Sequence, residues 1–483
     1  MNNGIAKKLR LLSYKDLIIL LIPFIIFIGY LYVYNPGIAR LDSFTHLHQI
    51  ATGHFNTWHP FFYTFIEMMC LKIYPNTKGI AILQISVFCI IWMVICNYFR
   101  NENSKNKIDK EFIFQVIFTL MICLIPFNPI SSITFLKDTL FSYFLLFICF
   151  LIKVLLDKKG DVSLFFIVIF SLTLAFAAQL RPNGTILILI LLVLLFVYLW
   201  HSHKNKKLPI SIISLTVLFI VLILSLNIVY DVENNDKDAV SAKIMHMLVD
   251  YELNLDMDSA DKSLISEVII NDTKSKQDYV LESSDLIYKL TNHTSYDDNK
   301  LEIIGMAIKY SIKNPYHFLQ YIFHSSPMVW HIAQQDEWGG HAYATNTDYS
   351  RERFYRANTP PLENYDNITP KNSETKWYKD IDSFVMGFAT DNLKDTLFNN
   401  PAFYMYLSFI LIGAIYLLTK SKDIFLMYLP NFLNIVILFL STPAQQYRYL
   451  YPNLLVFYLL VIMLVSIITK RKSNENTISS NSS

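Results

Sequence analysis

Long apolar runs, almost free of charge, recur along this chain, near residues 17–34, 80–98, 112–127, 138–156, 162–179, 185–200, 209–230, 401–419, 424–440 and 450–469. A run approaching ~20 apolar residues crosses a bilayer as one helix, and backbone in hydrocarbon must pair its own polar groups. The pattern therefore predicts an all-α polytopic membrane protein with about ten transmembrane helices. Apolar residues make up 53 % of 483, and Phe and Tyr together number 66, in keeping with those runs. The first run follows Lys7, Lys8 and Arg10 without a small-residue cleavage site, so a retained anchor is expected.

Loop charge sets the expected orientation. Lys and Arg gather at the N-terminus, over Arg100–Lys110, and at Lys158–Lys159, Lys204–Lys207, Lys420–Lys422 and Lys470–Lys472. By the positive-inside rule these lie in the cytoplasm, with both termini. Residues 61–74, stopped by Pro75, are apolar too, but a crossing there would invert every later loop. They are expected to form a helix half-embedded in the outer interface, a setting that suits Glu67 and Lys72.

Four units follow: a membrane core over 1–230, an outer loop domain over 231–400, further membrane helices over 401–469 and a disordered cytoplasmic tail over 470–483. The loop domain holds 16 Lys/Arg against 28 Asp/Glu, while the remainder holds 25 against 11. That sign argues against nucleic acid as a partner. Amphipathic stretches such as Leu301–Tyr310 predict a mostly helical loop domain. The five cysteines (70, 89, 96, 123, 149) all fall in or beside apolar segments, which gives no disulfide framework and no CxxC site.

Placed on this topology, four separated segments send polar residues to the outer ends of the spans. The first runs from Arg40 to Pro60 and carries Asp42, His46, His48, His54 and His59. The others are Ser131–Thr139 with Lys137 and Asp138, Gln179–Gly184 with Arg181 and Asn183, and Pro443–Tyr449 with Arg448 and Tyr449. Each has an ordinary reading: Asp42 as a helix cap, Lys137 as a snorkelling lysine, Arg181-Pro182 as a turn, Tyr447–Tyr449 as part of the aromatic belt. Four such readings on one side are replaced by a single one if the cations gather around a phosphate. Arg offers a bidentate fork to that group and Lys a point charge. Of the histidines, His59 before Pro60 is the best candidate and His46 the next.

The order of these pieces is a span, the Asp42 loop, a helix opened by His59-Pro60-Phe-Phe-Tyr-Thr, then Thr134-Phe-Leu-Lys137-Asp138 before another span. Arg181-Pro-Asn-Gly and Arg448-Tyr-Leu-Tyr-Pro452 complete it. The set resembles the GT-C superfamily of integral-membrane glycosyltransferases, which includes protein mannosyltransferases and bacterial lipid A aminoarabinose transferases. The likeness covers residues 15–200 and, more loosely, 400–469.

The resemblance implies a polyprenyl-phosphate sugar as donor, a glycan, lipid or protein acceptor in the cell envelope, and transfer on the outer face of a bacterial plasma membrane. It makes Asp42 and Asp138 catalytic, Lys137, Arg181 and Arg448 donor phosphate ligands, and His46, His59, Asn183 and Tyr449 substrate-binding. The chain departs from the family's frequent adjacent pair of acids, since Ser43 follows Asp42. A divalent metal, Mg or Mn, is thus left open, with Asp138 and His59 as its ligands. A carboxylate such as Asp42 takes the proton of an attacking acceptor hydroxyl, while the cations stabilise the leaving phosphate.

The rival readings are a transporter or flippase of lipid-linked glycans, and a glycan polymerase or ligase of another fold. Transporters place their ionisable groups near mid-membrane, whereas these lie at span ends. For the second rival, Trp330, His331, Asp336, Glu337, Trp338 and His341 offer another centre in the loop domain, although packing is the simpler use of its aromatics.

Overall fold

The structure is a computed structural model that describes residues 13–100, 109–202, 206–234, 239–332, 379–381, 383, 400–442 and 445–481. Helix α1 (Tyr14–Val33) is followed by the short α2 (Leu41–Thr52) and α3 (Phe61–Ile73), then α4 (Lys78–Phe99), α5 (Lys110–Leu124) and α6 (Phe127–Ile133). Next come α7 (Lys137–Asp157), α8 (Leu164–Leu180), α9 (Pro182–Ser202) and α10 (Lys207–Val229). Eight helices, α11 (Ala239–Asn254) to α18 (Pro327–Trp330), build the described part of the acidic domain. The chain closes with α19 (Pro401–Thr419), α20 (Asp423–Ser441), a 3-10 turn (Tyr447–Leu450) and α21 (Tyr451–Asn481).

Among the described residues, eight helices are long and apolar enough to cross a membrane. A ninth is added if α5 and α6, bent by 69° at their junction, count as one broken span. The run at 162–179 forms α8, a 17-residue apolar helix that falls just short in length. The protein is thus an all-α polytopic membrane protein. At 13 residues, α3 is far below a crossing length. Backbone helix continues from Lys470 to Asn481, where composition predicts a disordered tail.

Helix ends sort into two groups. At one end of the bundle Lys15 meets Asp109, Asp16 meets Arg100, Tyr98 meets Asp157 and Ser466 meets the Phe99 carbonyl. At the other end lie the C-termini of α1 and α8, the N-terminus of α7 and the 3-10 turn, with Asp42, Asp138, Arg181 and Arg448.

Helices in lipid gain little from burying one apolar face on another, so small residues and interhelical hydrogen bonds hold them together. Trp92 on α4 donates to Thr119 on α5, Asn128 on α6 bonds both Tyr451 and Tyr458 of α21, and Asn431 bonds Asn453. Where α8 turns into α9, a Cβ at Gly184 would stand 2.4 Å from the Ala177 carbonyl oxygen. Backbone cannot yield there as a flexible side chain would, so Gly184→Ala is expected to destabilise by about 1–3 kcal/mol. A fall in the melting temperature of the purified chain checks it; an unchanged value would mean the joint is slack.

The acidic domain has a core of its own around Met245, Leu248, Tyr251, Val268, Ile303, Met306 and Tyr310. In α16 (Lys300–Lys313) the buried positions are Ile303, Met306, Ala307 and Tyr310, one stripe at helical spacing. The domain rests on the Asp42 end of the bundle. Gln445 donates to the carbonyls of Glu282 and Ser325 and accepts from the Met328 amide.

Candidate functional site

Asp42 reaches its partners through a backbone clamp. Ile38 and Thr134 form a parallel bridge, in which Ile38 N donates to Ile133 O and Phe135 N to Ile38 O, both at 2.9 Å. Gly37 has φ 126°, and a Cβ there would collide with the Phe135 ring, so only glycine lets the two segments close. Ser43 finishes the clamp: its hydroxyl accepts from the Arg40 amide and donates to the Phe135 carbonyl. A second acid at position 43 would set an acceptor against that carbonyl, which accounts for its absence.

Asp42 is not the cap of α2; Arg40 is. Its carboxylate stands in the first turn, where the helix dipole favours it, and faces two cations. Lys137 Nζ lies 3.2 Å from Oδ2 and Arg448 Nη1 2.9 Å from the same atom. Asp138 lies 3.0 Å from Arg181 Nε and 3.5 Å from Arg448 Nη1. Arg448 therefore joins the two carboxylates. Tyr449 supports both guanidinium groups on its ring, with Arg181 at 4.8 Å and Arg448 at 5.2 Å. Lys137, with 8 % of its side chain exposed, is committed to the cluster and does not snorkel.

His59 accepts from Lys137 Nζ through Nδ1 at 3.1 Å. An ammonium only donates, so the proton of neutral His59 sits on Nε2, 4.0 Å from Asp42 Oδ1. His46 stacks beside His59 with ring centroids 4.9 Å apart and bonds Thr64 through Nδ1 at 2.7 Å. His48 is half-buried and His54 exposed, and neither joins the cluster. Asn183 turns to Ser441 at 3.5 Å. Glu67 faces into the protein: it is fully buried beside Tyr63, and its oxygens have no hydrogen-bond partner of good geometry among the described residues. Burial pushes its carboxyl well above the usual range, because a charge there would be desolvated.

Burial pushes the Asp42 carboxyl up, but Arg448 and then Lys137 outweigh it and hold it well below the usual range. His59 is pushed down to about 3 by burial and then by Lys137, and His46 is pushed well down by burial and then by His59. An unfolded histidine binds a proton below about 6.5, whereas these two stay neutral when folded. The unfolded chain thus takes up more protons as pH falls below that value. Stability should fall with pH at up to about 1.4 kcal/mol per pH unit per histidine. Thermal unfolding at pH 7 and pH 5 should show the drop, and the His46→Gln/His59→Gln double variant should make it shallower, with buried His246, also held down to about 3, supplying part of what remains. Equal slopes in the two proteins would remove these histidines as the cause.

A small, partly open pocket borders the cluster, lined among others by Arg40, Phe127, Ile130, Asp138, Arg448 and Tyr451. Arg40 was not among the sequence candidates, although its place two residues before Asp42 was a usable signal. The donor set does not fit a divalent metal. Three cations surround two carboxylates, and no group of three His, Cys, Asp or Glu side chains among the described residues could hold one. In the acidic domain Trp330 donates to the Phe323 carbonyl and its own carbonyl accepts from Tyr406. Asp336, Glu337, Trp338 and His341 lie outside the described residues. No family model, no curated protein and no solved structure matches this chain.

Proposed function

We propose that this protein is a glycosyltransferase of the GT-C kind, moving a sugar from a polyprenyl-phosphate donor to a glycan, lipid or protein acceptor at the outer face of a bacterial plasma membrane. The observation that carries this reading is the single cluster of Asp42, Lys137, Asp138, Arg181 and Arg448, drawn from four separated segments. Its excess of one positive charge suits a phosphate diester anion. The adjoining pocket sets Arg40 and Arg448 beside apolar side chains, the two kinds of surface that a lipid phosphate meets.

In this mechanism the acceptor oxygen attacks the anomeric carbon as Asp42 takes its proton. The bond from that carbon to the phosphate oxygen breaks, and its electron pair leaves with the lipid phosphate, whose charge Arg448, Lys137 and Arg181 stabilise. One displacement inverts the anomeric centre. Donor phosphate drawing Arg448 and Lys137 away from Asp42 would also raise the basicity of that carboxylate.

The fuller topology belongs to the same proposal. It takes ten crossings, counting α8 and the α5–α6 pair, with basic loops and both termini in the cytoplasm. At ~1.5 Å per residue, α8 spans ~25 Å, within reach of a thin or locally compressed bilayer. The test is transfer from a radiolabelled polyprenyl-phosphate sugar by the full chain in vesicles, with and without Asp42. Transfer that is absent, or indifferent to Asp42, defeats the reading. A transporter reading gains some support from buried Glu67, and would show instead as glycolipid translocation without bond cleavage.

A further inference from the structure

The loop from Gly53 to Pro60 is held from several directions. Thr57 N donates to Glu233 O, Glu233 N donates to Phe55 O, and Thr57 Oγ1 donates to Asn234. Asn56 Oδ1 accepts from both Gln49 Nε2 and the Trp58 amide. These bonds set Trp58 beside His59, with ring centroids 5.9 Å apart, and His59 in turn faces Asp42. Across from Trp58 stands Tyr288 of the acidic domain, at 5.1 Å and 43°, and His293 continues the row at 4.8 Å.

Packing does not account for this pair. Neither ring belongs to a hydrophobic core of the bundle or of the acidic domain, although both are large. Trp58 is half-buried, and its indole N–H has no hydrogen-bond partner among the described residues, whereas those of Trp92 and Trp330 are paired. Tyrosine and tryptophan offer a broad apolar face with a polar tip. A sugar ring has the matching form: a C–H face that lies on an aromatic ring, and hydroxyls around its edge.

We propose that Trp58 and Tyr288 form a carbohydrate subsite, on which the acceptor glycan stacks with its reacting hydroxyl turned past His59 toward Asp42. The assignment of the bound sugar as acceptor rests on the transferase reading; the binding of sugar does not. It narrows the acceptor class to a glycan. Contact across the two domains also makes the subsite depend on their docking.

The full chain in detergent micelles, titrated calorimetrically with neutral tetrasaccharides of glucose, N-acetylglucosamine, mannose and galactose, tests this. At least one should bind saturably, Trp58→Ala and Tyr288→Ala should each weaken it about 5- to 10-fold, and Trp58→Phe should keep most of it. No saturable binding, or parental affinity in both alanine variants with unchanged melting temperature, overturns the subsite. Binding that behaves as expected while Asp42→Asn keeps full transfer would instead sink the transferase mechanism and leave the sugar subsite standing.

Discussion

Asp42→Asn should lower lipid-linked sugar transfer by about 10²- to 10⁴-fold, the range a positioned general base contributes. The amide keeps the volume and removes only the charge and the proton-accepting role. Arg448 retains Asp138 at 3.5 Å while Lys137 keeps only its bond to His59, so the protein should still insert and purify as a monodisperse species, with some loss of melting temperature. Asp42→Glu should recover part of the rate. A second readout is specific to this geometry. With Arg448 and Lys137 on the same oxygen, Asp42 is ionised well below the usual carboxylate range in the free protein. The acid limb of kcat/KM therefore lies at low pH. At saturating donor, phosphate competes for those cations, and the limb of kcat should move up. Full transfer by Asp42→Asn, or acid limbs that coincide, would remove Asp42 as the base.

Arg181→Met should produce the largest loss of stability. Asp138 keeps only 2 % of its side chain exposed, and Arg181 is its nearest cation at 3.0 Å. Stranding a buried charge typically costs about 3–5 kcal/mol. The lower end is expected here, because Arg448 remains within 3.5 Å. Removing both partners is far less harmful, since no unpaired charge is left. The Arg181→Met/Asp138→Leu double variant should therefore recover much of the melting temperature lost by the single variant, yet stay inactive for want of the phosphate ligand. A double variant no more stable than Arg181→Met would show that the pair is not what Arg181 contributes.

Particular residues show how far the sequence was legible. The apolar runs announced most of the long helices, and charge and amphipathic spacing announced a helical acidic domain. Asp42, Lys137, Asp138, Arg181 and Arg448 were all candidates, and the structure brings them into one cluster. The histidines were harder. Four of them share one short segment, and nothing in their spacing says that His46 and His59 turn inward while His54 faces solvent. The burial of Glu67 was hidden for a related reason. A charged residue on a short apolar helix suits an interface, and only the packing of α3 against α2, α4, α8 and α10 shows it buried. Trp58 carried no signal, because its partner Tyr288 lies in another domain.

The sequence by itself determined the solvent this chain lives in and the helices that solvent demands. Hydrocarbon leaves a backbone no other partner, and runs of about 20 apolar residues are a local property that can be counted. The tertiary structure alone decided which charge meets which. Arg448 and Asp42 stand 406 residues apart in sequence and 2.9 Å apart in space. That distance is set by where helix ends come together and by a two-residue clamp between Ile38 and Thr134. Pairing energies between charges depend on separation and burial, and neither is written in the spacing along the chain.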